Sequence, residues 1–141
     1  MKLRLENLPA SLGPQRRTLV QCLEAMDRVL PLKVVYLFGS HARGEAKPAS
    51  DVDLCLVDEG ATDQLKAAQK CRQAMSEIRP KPAFTLVPIA PKRLEEKKAM
   101  GDHFFHTVLT EGILLVTENR WLSSEPKVAE ARCEKSGAKL L

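Results

Sequence analysis

The sequence predicts an α/β (α+β) domain: a mixed sheet of about four strands with helices packed against one face. Two observations lead there. Short β-branched apolar runs, "KVVYLFGS", "DVDLCLVD", "AFTLVPIA" and "ILLVT", alternate with longer stretches whose apolar residues recur at helical spacing. A chain of 141 residues, 44% hydrophobic and 28% charged, also suits one apolar core rather than two.

Taken in order, "PQRRTLVQCLEAMDRVLP" places Leu19, Cys22, Leu23, Met26, Val29 and Leu30 on one helical stripe, with Pro14 suited to a first turn and Pro31 ending the run. The strands "KVVYLF" and "DVDLCLV" follow, closed by Gly39 and by "DEGATD". The second helix, "TDQLKAAQKCRQAMSEIRP", starts at a Thr62 cap, carries Leu65, Ala68, Cys71, Met75 and Ile78 inward, and stops before Pro80. A third strand, "AFTLVPIA", contains Pro88, which puts it at an edge or a bulge. "PKRLEEKKAM" and "DHFFHTVLTEG" read as helices broken at Gly101 and Gly112, before a fourth strand "ILLVT". The predicted order is α-β-β-α-β-α-α-β.

After Trp121 the chain turns polar, and "SSEPKVAEARCEKSGAKLL" has too few large apolar residues to build a core. Residues 1–120 are therefore expected to form the domain, with 121–141 a polar tail, flexible or partner-binding. The net charge of +4 would attract nucleotides, RNA or an acidic protein and selects none of them. Aromatic residues make up only 4% of the chain, too few for an extended base-stacking surface, which disfavours nucleic acid as the partner. Cys22, Cys55, Cys71 and Cys133 form no C-x-x-C pair and read as reduced thiols of a cytoplasmic protein. No stretch has the apolar length of a signal peptide core or a membrane span, so no membrane association is expected.

The chemistry concentrates between Leu37 and Asp58, "LFGSHARGEAKPASDVDLCLVD". On a strand, residues two apart share a face, so Asp51 and Asp53 point together while Val52 and Leu54 point into the core. Two such carboxylates repel unless a cation lies between them, and a divalent metal is the usual solution where oxygen ligands converge. Mg²⁺, or Mn²⁺ in its place, takes one or two carboxylates and completes its shell with water and phosphate oxygens, so ATP or another NTP is the natural ligand. Gly39 lets the backbone approach that ligand, and the N–H groups after it, with the Ser40 hydroxyl, can donate to phosphate. The residues after Gly39 are expected to open a short helix. Arg43 adds a cation, as a phosphate or carboxylate partner. Ser50 closes the loop by a cap or turn and is a further nucleotide-binding candidate.

The pattern G-S-x10-D-x-D, Gly39-Ser40 to Asp51-Val52-Asp53, resembles the signature of the DNA polymerase β-like nucleotidyltransferase superfamily. The fuller string "FGSHARGEAKPASDVDL" resembles its minimal nucleotidyltransferases, the MNT type often paired with HEPN-domain proteins, and the related antibiotic nucleotidyltransferases. The likeness is specific from about Val34 to Leu56 and extends more weakly to "EGILLV", Glu111 to Val116. It implies the nucleotidyltransferase fold, Asp51 and Asp53 as catalytic metal ligands, and Gly39 and Ser40 holding the triphosphate. The reaction it implies moves a nucleoside monophosphate, AMP above all, to a hydroxyl, here one on a HEPN toxin for which this chain is the antitoxin.

One position departs from that pattern. The resemblance implies a third carboxylate on the next strand, and "KPAFTLVPIAPKRL" has Thr85 there, with no Asp or Glu between Ile78 and Leu94. A neutral hydroxyl cannot act as a carboxylate base, so a catalytically degenerate nucleotide-binding subunit that acts by binding its partner is the rival reading. Asp58, Glu59 and Glu111 are the candidate substitutes for that acid. His41 is expected to be exposed. His103 and His106, three apart on a helix, have no third ligand in view and read as a helix face or interface. Lys92, Arg93, Lys97 and Lys98, interleaved with Glu95 and Glu96, read as a solvated helical face. The acceptor, the base preference and any homo-oligomer are left open by the sequence.

Overall fold

The computed structural model describes residues 1–117, and the tail expected over 121–141, together with Cys133, lies outside them. The first element is a two-residue strand, β1 (Lys2–Leu3), followed by 3₁₀ segments at Leu5–Asn7 and Ala10–Gln15. Then come α1 (Arg16–Val29), β2 (Val34–Phe38), α2 (Ser40–Arg43), β3 (Val52–Val57), α3 (Gln64–Ala74), β4 (Phe84–Ile89), α4 (Pro91–Ala99), α5 (His103–Glu111) and β5 (Ile113–Thr117). The class is the expected one, α/β with a mixed sheet. The sheet has five strands in the order β1-β5-β2-β3-β4, because the short β1, with no periodicity to announce it, pairs antiparallel with β5.

Only β3 and β4 run parallel, joined through α3, whereas β2 pairs antiparallel with both β3 and β5. Strand alternation sorts side chains between the two faces. Val35 and Leu37 of β2, Val52, Leu54 and Leu56 of β3, and Phe84 and Leu86 of β4 join Leu19, Leu23 and Met26 of α1 and Cys71 of α3 in the larger core. Val34, Cys55, Val57 and Ile89 point the other way and pack with Leu94 of α4 and Phe105 and Val108 of α5 in a smaller one. The helices therefore cover both faces, α1 and α3 on one side and α4 and α5 on the other. A continuous buried run such as Leu54–Val57 requires this.

Several local details differ from the sequence reading. The α3 cap is Asp63, whose carboxylate accepts from the Lys66 N–H at 3.1 Å, rather than Thr62. The helix ends at Ala74 and buries Ala67 and Cys71, Met75 and Ile78 just beyond it still pack inward as expected, and Leu65 is 70% exposed. Val29 likewise faces solvent at the end of α1. Pro88 lies on β4, which is an edge strand as its proline requires. No helix among the described residues is long and apolar enough to cross a membrane.

Candidate functional site

The site is built at one end of the sheet, where β2 stops and β3 and β4 start. Phe38, the last residue of β2, pairs with Asp53 of β3, and Asp53 pairs with Thr85 of β4. Alternation sets all three side chains on the α4/α5 side of the sheet, since Val52, Leu54, Phe84, Leu86 and Leu37 occupy the opposite core. Asp51, one residue before β3, is exposed, and the Thr85 hydroxyl donates to its Oδ2 at 3.3 Å. Burial of its neighbours holds Asp53 half in and half out of solvent.

Gly39 follows Phe38 with φ +77° and ψ −153°, a conformation open essentially to glycine alone. Its α-carbon faces the Asp53 carboxylate so closely that a β-carbon would overlap Asp53 Oδ2. The turn it makes starts α2 at Ser40, as expected. The first turn closes from the Arg43 N–H to the Gly39 carbonyl at 3.1 Å, and Gly44, at φ +73°, ends it. Ser40 is half-buried at the start of this helix, one residue from the point where the backbone meets Asp53.

His41 is not exposed. It is 5% accessible, and its Nδ1 lies 2.8 Å from the Ser11 hydroxyl, which ties α2 to the 3₁₀ segment ahead of α1. Neighbouring Ala42 packs against the larger core. Ser11 thus becomes part of the site's support, a role concealed by its separation of thirty positions from His41. Arg43 is exposed, and its Nε donates to Glu45 at 3.0 Å, a carboxylate rather than a core partner. The Ser50 hydroxyl accepts from the Lys47 N–H at 2.8 Å while its own N–H donates to the Lys47 carbonyl at 2.9 Å, so Ser50 closes the loop that precedes the acids.

Burial pushes the Asp53 carboxyl above its ordinary value. The neighbouring Thr85 hydroxyl opposes that shift, the Asp51 charge reinforces it, and His41 and Arg43 pull it back. Among the described residues no three His, Cys, Asp or Glu converge as a metal cage. Two carboxylates and a hydroxyl beside them still fit a hard cation that draws its remaining oxygen ligands from phosphate and water.

The other acids lie elsewhere. Asp58 follows the far end of β3, five residues from Asp53, where it is buried and accepts from the Gly60 N–H at 2.6 Å. Glu59 is likewise remote and bonds Lys33 at 3.0 Å. Neither can replace a third carboxylate at Thr85. Glu111 is exposed at the end of α5, two residues before Ile113, which pairs with Leu37. His103 and His106 are exposed on α5.

No curated protein matches this sequence. A crystal structure of a nucleotidyltransferase candidate from Sulfolobus solfataricus is similar at 23% identity, with 74% of this chain and 81% of that one covered and a TM-score of 0.45. A crystal structure of a toxin–antitoxin with AMP-PNP is similar at 22% identity, with 77% of each chain covered and a TM-score of 0.46. The profile of the nucleotidyltransferase domain matches residues 18–104, more than half of the chain, from within α1 through the Gly39–Ser40 turn, Asp51, Asp53 and Thr85. By that match, over the segment that builds the site, the chain belongs to the nucleotidyltransferase domain family.

Proposed function

We propose that this domain binds an NTP as its Mg²⁺ or Mn²⁺ complex at the β2–β3–β4 rim and transfers the nucleoside monophosphate, AMP in the first place, to an acceptor hydroxyl. The observation that carries this reading is the cross-strand register. Phe38 opposite Asp53 brings the Gly39–Ser40 turn against the carboxylate of Asp53, so a phosphate donor set and an acidic pair are adjacent. Asp51 and Asp53 would hold the cation, which when bound supplies charge stabilisation at the phosphates. Gly39 admits the ligand to the backbone, Ser40 donates to it, Arg43 is free of the core to reach it, and Ser50 sets the loop that aims the acids. In the reaction the acceptor oxygen forms a bond to the α-phosphorus, the bond to the bridging oxygen breaks, pyrophosphate leaves, and the hydroxyl proton passes to solvent or a base.

The resemblance of "FGSHARGEAKPASDVDL" to the MNT branch supports a HEPN-domain protein as the carrier of that hydroxyl, with this chain as its antitoxin. We assign the activity to residues 1–120 and leave to 121–141 a partner-binding role. A second reading is favoured by one specific observation. Thr85 stands in register with Asp53 at the position of the third acid, and it offers a hydroxyl only. A subunit that keeps the nucleotide and acts by occupying its partner is consistent with that loss.

Calorimetric titration with ATP tests the binding that both readings share. The wild type is expected to bind in Mg²⁺ or Mn²⁺ and not in EDTA, and the double variant Asp51→Asn/Asp53→Asn is expected not to bind. Equal binding by the double variant would exclude the site, and incubation with labelled ATP and a HEPN partner separates transfer from occupancy.

A further inference from the structure

Phe104 is a large apolar side chain at the start of α5 that remains 43% exposed. An exposed phenylalanine is ordinary in itself. This one stands in a particular place. Its ring meets Phe38 edge-on, centroids 5.4 Å apart at 89°, and meets the buried Phe105 edge-on at 5.0 Å and 84°. Phe38 in turn stands directly opposite Asp53 in the sheet, where facing β-carbons are about 5 Å apart. Phe104, Phe38, Asp53 and Thr85 therefore form a row along the rim, on one side of the sheet, running from aromatic to acidic.

Resting on the nucleotide-binding reading, we propose that Phe104, backed by Phe38, is the shelf on which the nucleobase stacks. The two halves of the site lie on different sides of the sheet. Ser40–Arg43 leans toward α1, through Ala42 in the larger core and His41 on Ser11, whereas the acids face the α4/α5 side. A triphosphate that begins at the Gly39–Ser40 turn and reaches the acids crosses the strand end in that direction. The nucleoside that follows it comes down on the α4/α5 side, where the one exposed aromatic ring among the described residues stands. Ring stacking accepts any base, so the shelf would give affinity with little base preference, and it needs no polar group to read an edge. The edge-on contacts with Phe38 and Phe105 leave one face of the ring open for a base to cover.

The test compares ligands that share the triphosphate and differ in the base. The full chain, as wild type and as Phe104→Ala, Phe104→Leu and Phe104→Tyr, is titrated calorimetrically with ATP and with inorganic tripolyphosphate in Mg²⁺. Stacking predicts that Ala and Leu weaken ATP roughly fivefold to a hundredfold, that Tyr retains it, and that tripolyphosphate binds all four proteins alike. Unchanged ATP affinity in Phe104→Ala overturns the shelf, including the case in which transfer to an acceptor falls and the ring serves the acceptor instead. Equal loss of both ligands overturns it too, because the ring would then be supporting the fold. If wild type binds neither ligand, the nucleotide-binding reading itself fails, and that outcome is distinct from a wild type that binds both while Phe104→Ala loses nothing.

Discussion

Gly39 and Asp53 lie in contact across the β2–β3 end with no room for a β-carbon between them, and Gly39 holds a positive φ that side chains avoid. The backbone turn and the carboxylate are thus fitted to each other before any ligand arrives. Gly39→Ala is expected to cost about 1–3 kcal/mol from the backbone conformation, with the overlap on Asp53 added to it. ATP binding in Mg²⁺ should be lost at the same time. Chemical denaturation and titration of the one variant check both effects, and an unchanged midpoint would contradict the geometry.

The Asp53 carboxyl carries a cost of its own. Its native value is raised, chiefly by burial, so the folded chain holds a proton there more tightly than the unfolded chain does. The ionised form therefore weakens the metal-free fold at neutral pH. That cost fades as pH falls through the native value. Asp53→Asn should accordingly raise the melting temperature modestly at pH 7 while abolishing metal-dependent ATP binding, and the gain should shrink toward pH 4. Scanning calorimetry at the two pH values measures it, and a lowered melting temperature at pH 7 would refute the sign.

Thr85→Asp places a third carboxylate in register with Asp53 and beside Asp51. Without metal the three charges repel, and the variant should melt below the wild type. Added Mn²⁺ or Mg²⁺ should raise its melting temperature more than that of wild type, because three acids bind a divalent ion better than two. Transfer of label from ATP to an acceptor should rise in the variant. Equal metal response in the two proteins would mean that Thr85 does not face the acids.

Much of this site could be read from the sequence, because its turn and its acids, Gly39 to Asp53, lie within twenty residues and each carries its own signal. The Gly-Ser turn, the D-x-D alternation and the flanking apolar runs led to β2, α2 and β3 directly, and Pro88 marked β4 as an edge. What escaped was tertiary. His41 reads as a tolerant, exposed position inside the motif, whereas Ser11 reaches it from a 3₁₀ segment that has no periodicity. The second helical layer was missed because α4 buries only Leu94 and otherwise reads as a charged surface helix. Asp63 displaced Thr62 as a cap through a choice between two good N-cap residues, which local preference cannot make.

The Ser11–His41 bond leads to a prediction about a residue outside the motif. Ser11→Ala removes a hydrogen bond worth about 1 kcal/mol and releases α2 from the segment before α1. ATP affinity should fall severalfold although no residue of the rim has changed. Calorimetry with the variant tests it, and full affinity would show that α2 is held by Ala42 packing alone.

The thiols supply a check on the core. Burial pushes Cys55 to about 12 and Cys71 to about 11, and raises Cys22 as well. These three should resist a thiol reagent at pH 8 until the chain is unfolded. Their native values exceed the ordinary thiol value, so the stability they contribute is complete below that value and is lost as pH rises through it toward about 12. Labelling with and without urea, read by mass, distinguishes buried from accessible thiols.

Lys2 pairs with Thr117, so the beginning and the end of the described chain are clasped side by side. Ile113, at the other end of β5, pairs with Leu37 just before the Gly39 turn, and Thr117 therefore lies a strand's length from the rim, about 13 Å at 3.3 Å per residue. Lys2 and Thr117 thus both lie at the end of the sheet remote from its acids. A label or a fused module joined beside Lys2 would pull on the sheet's back edge, at the end of the sheet opposite Asp51 and Asp53.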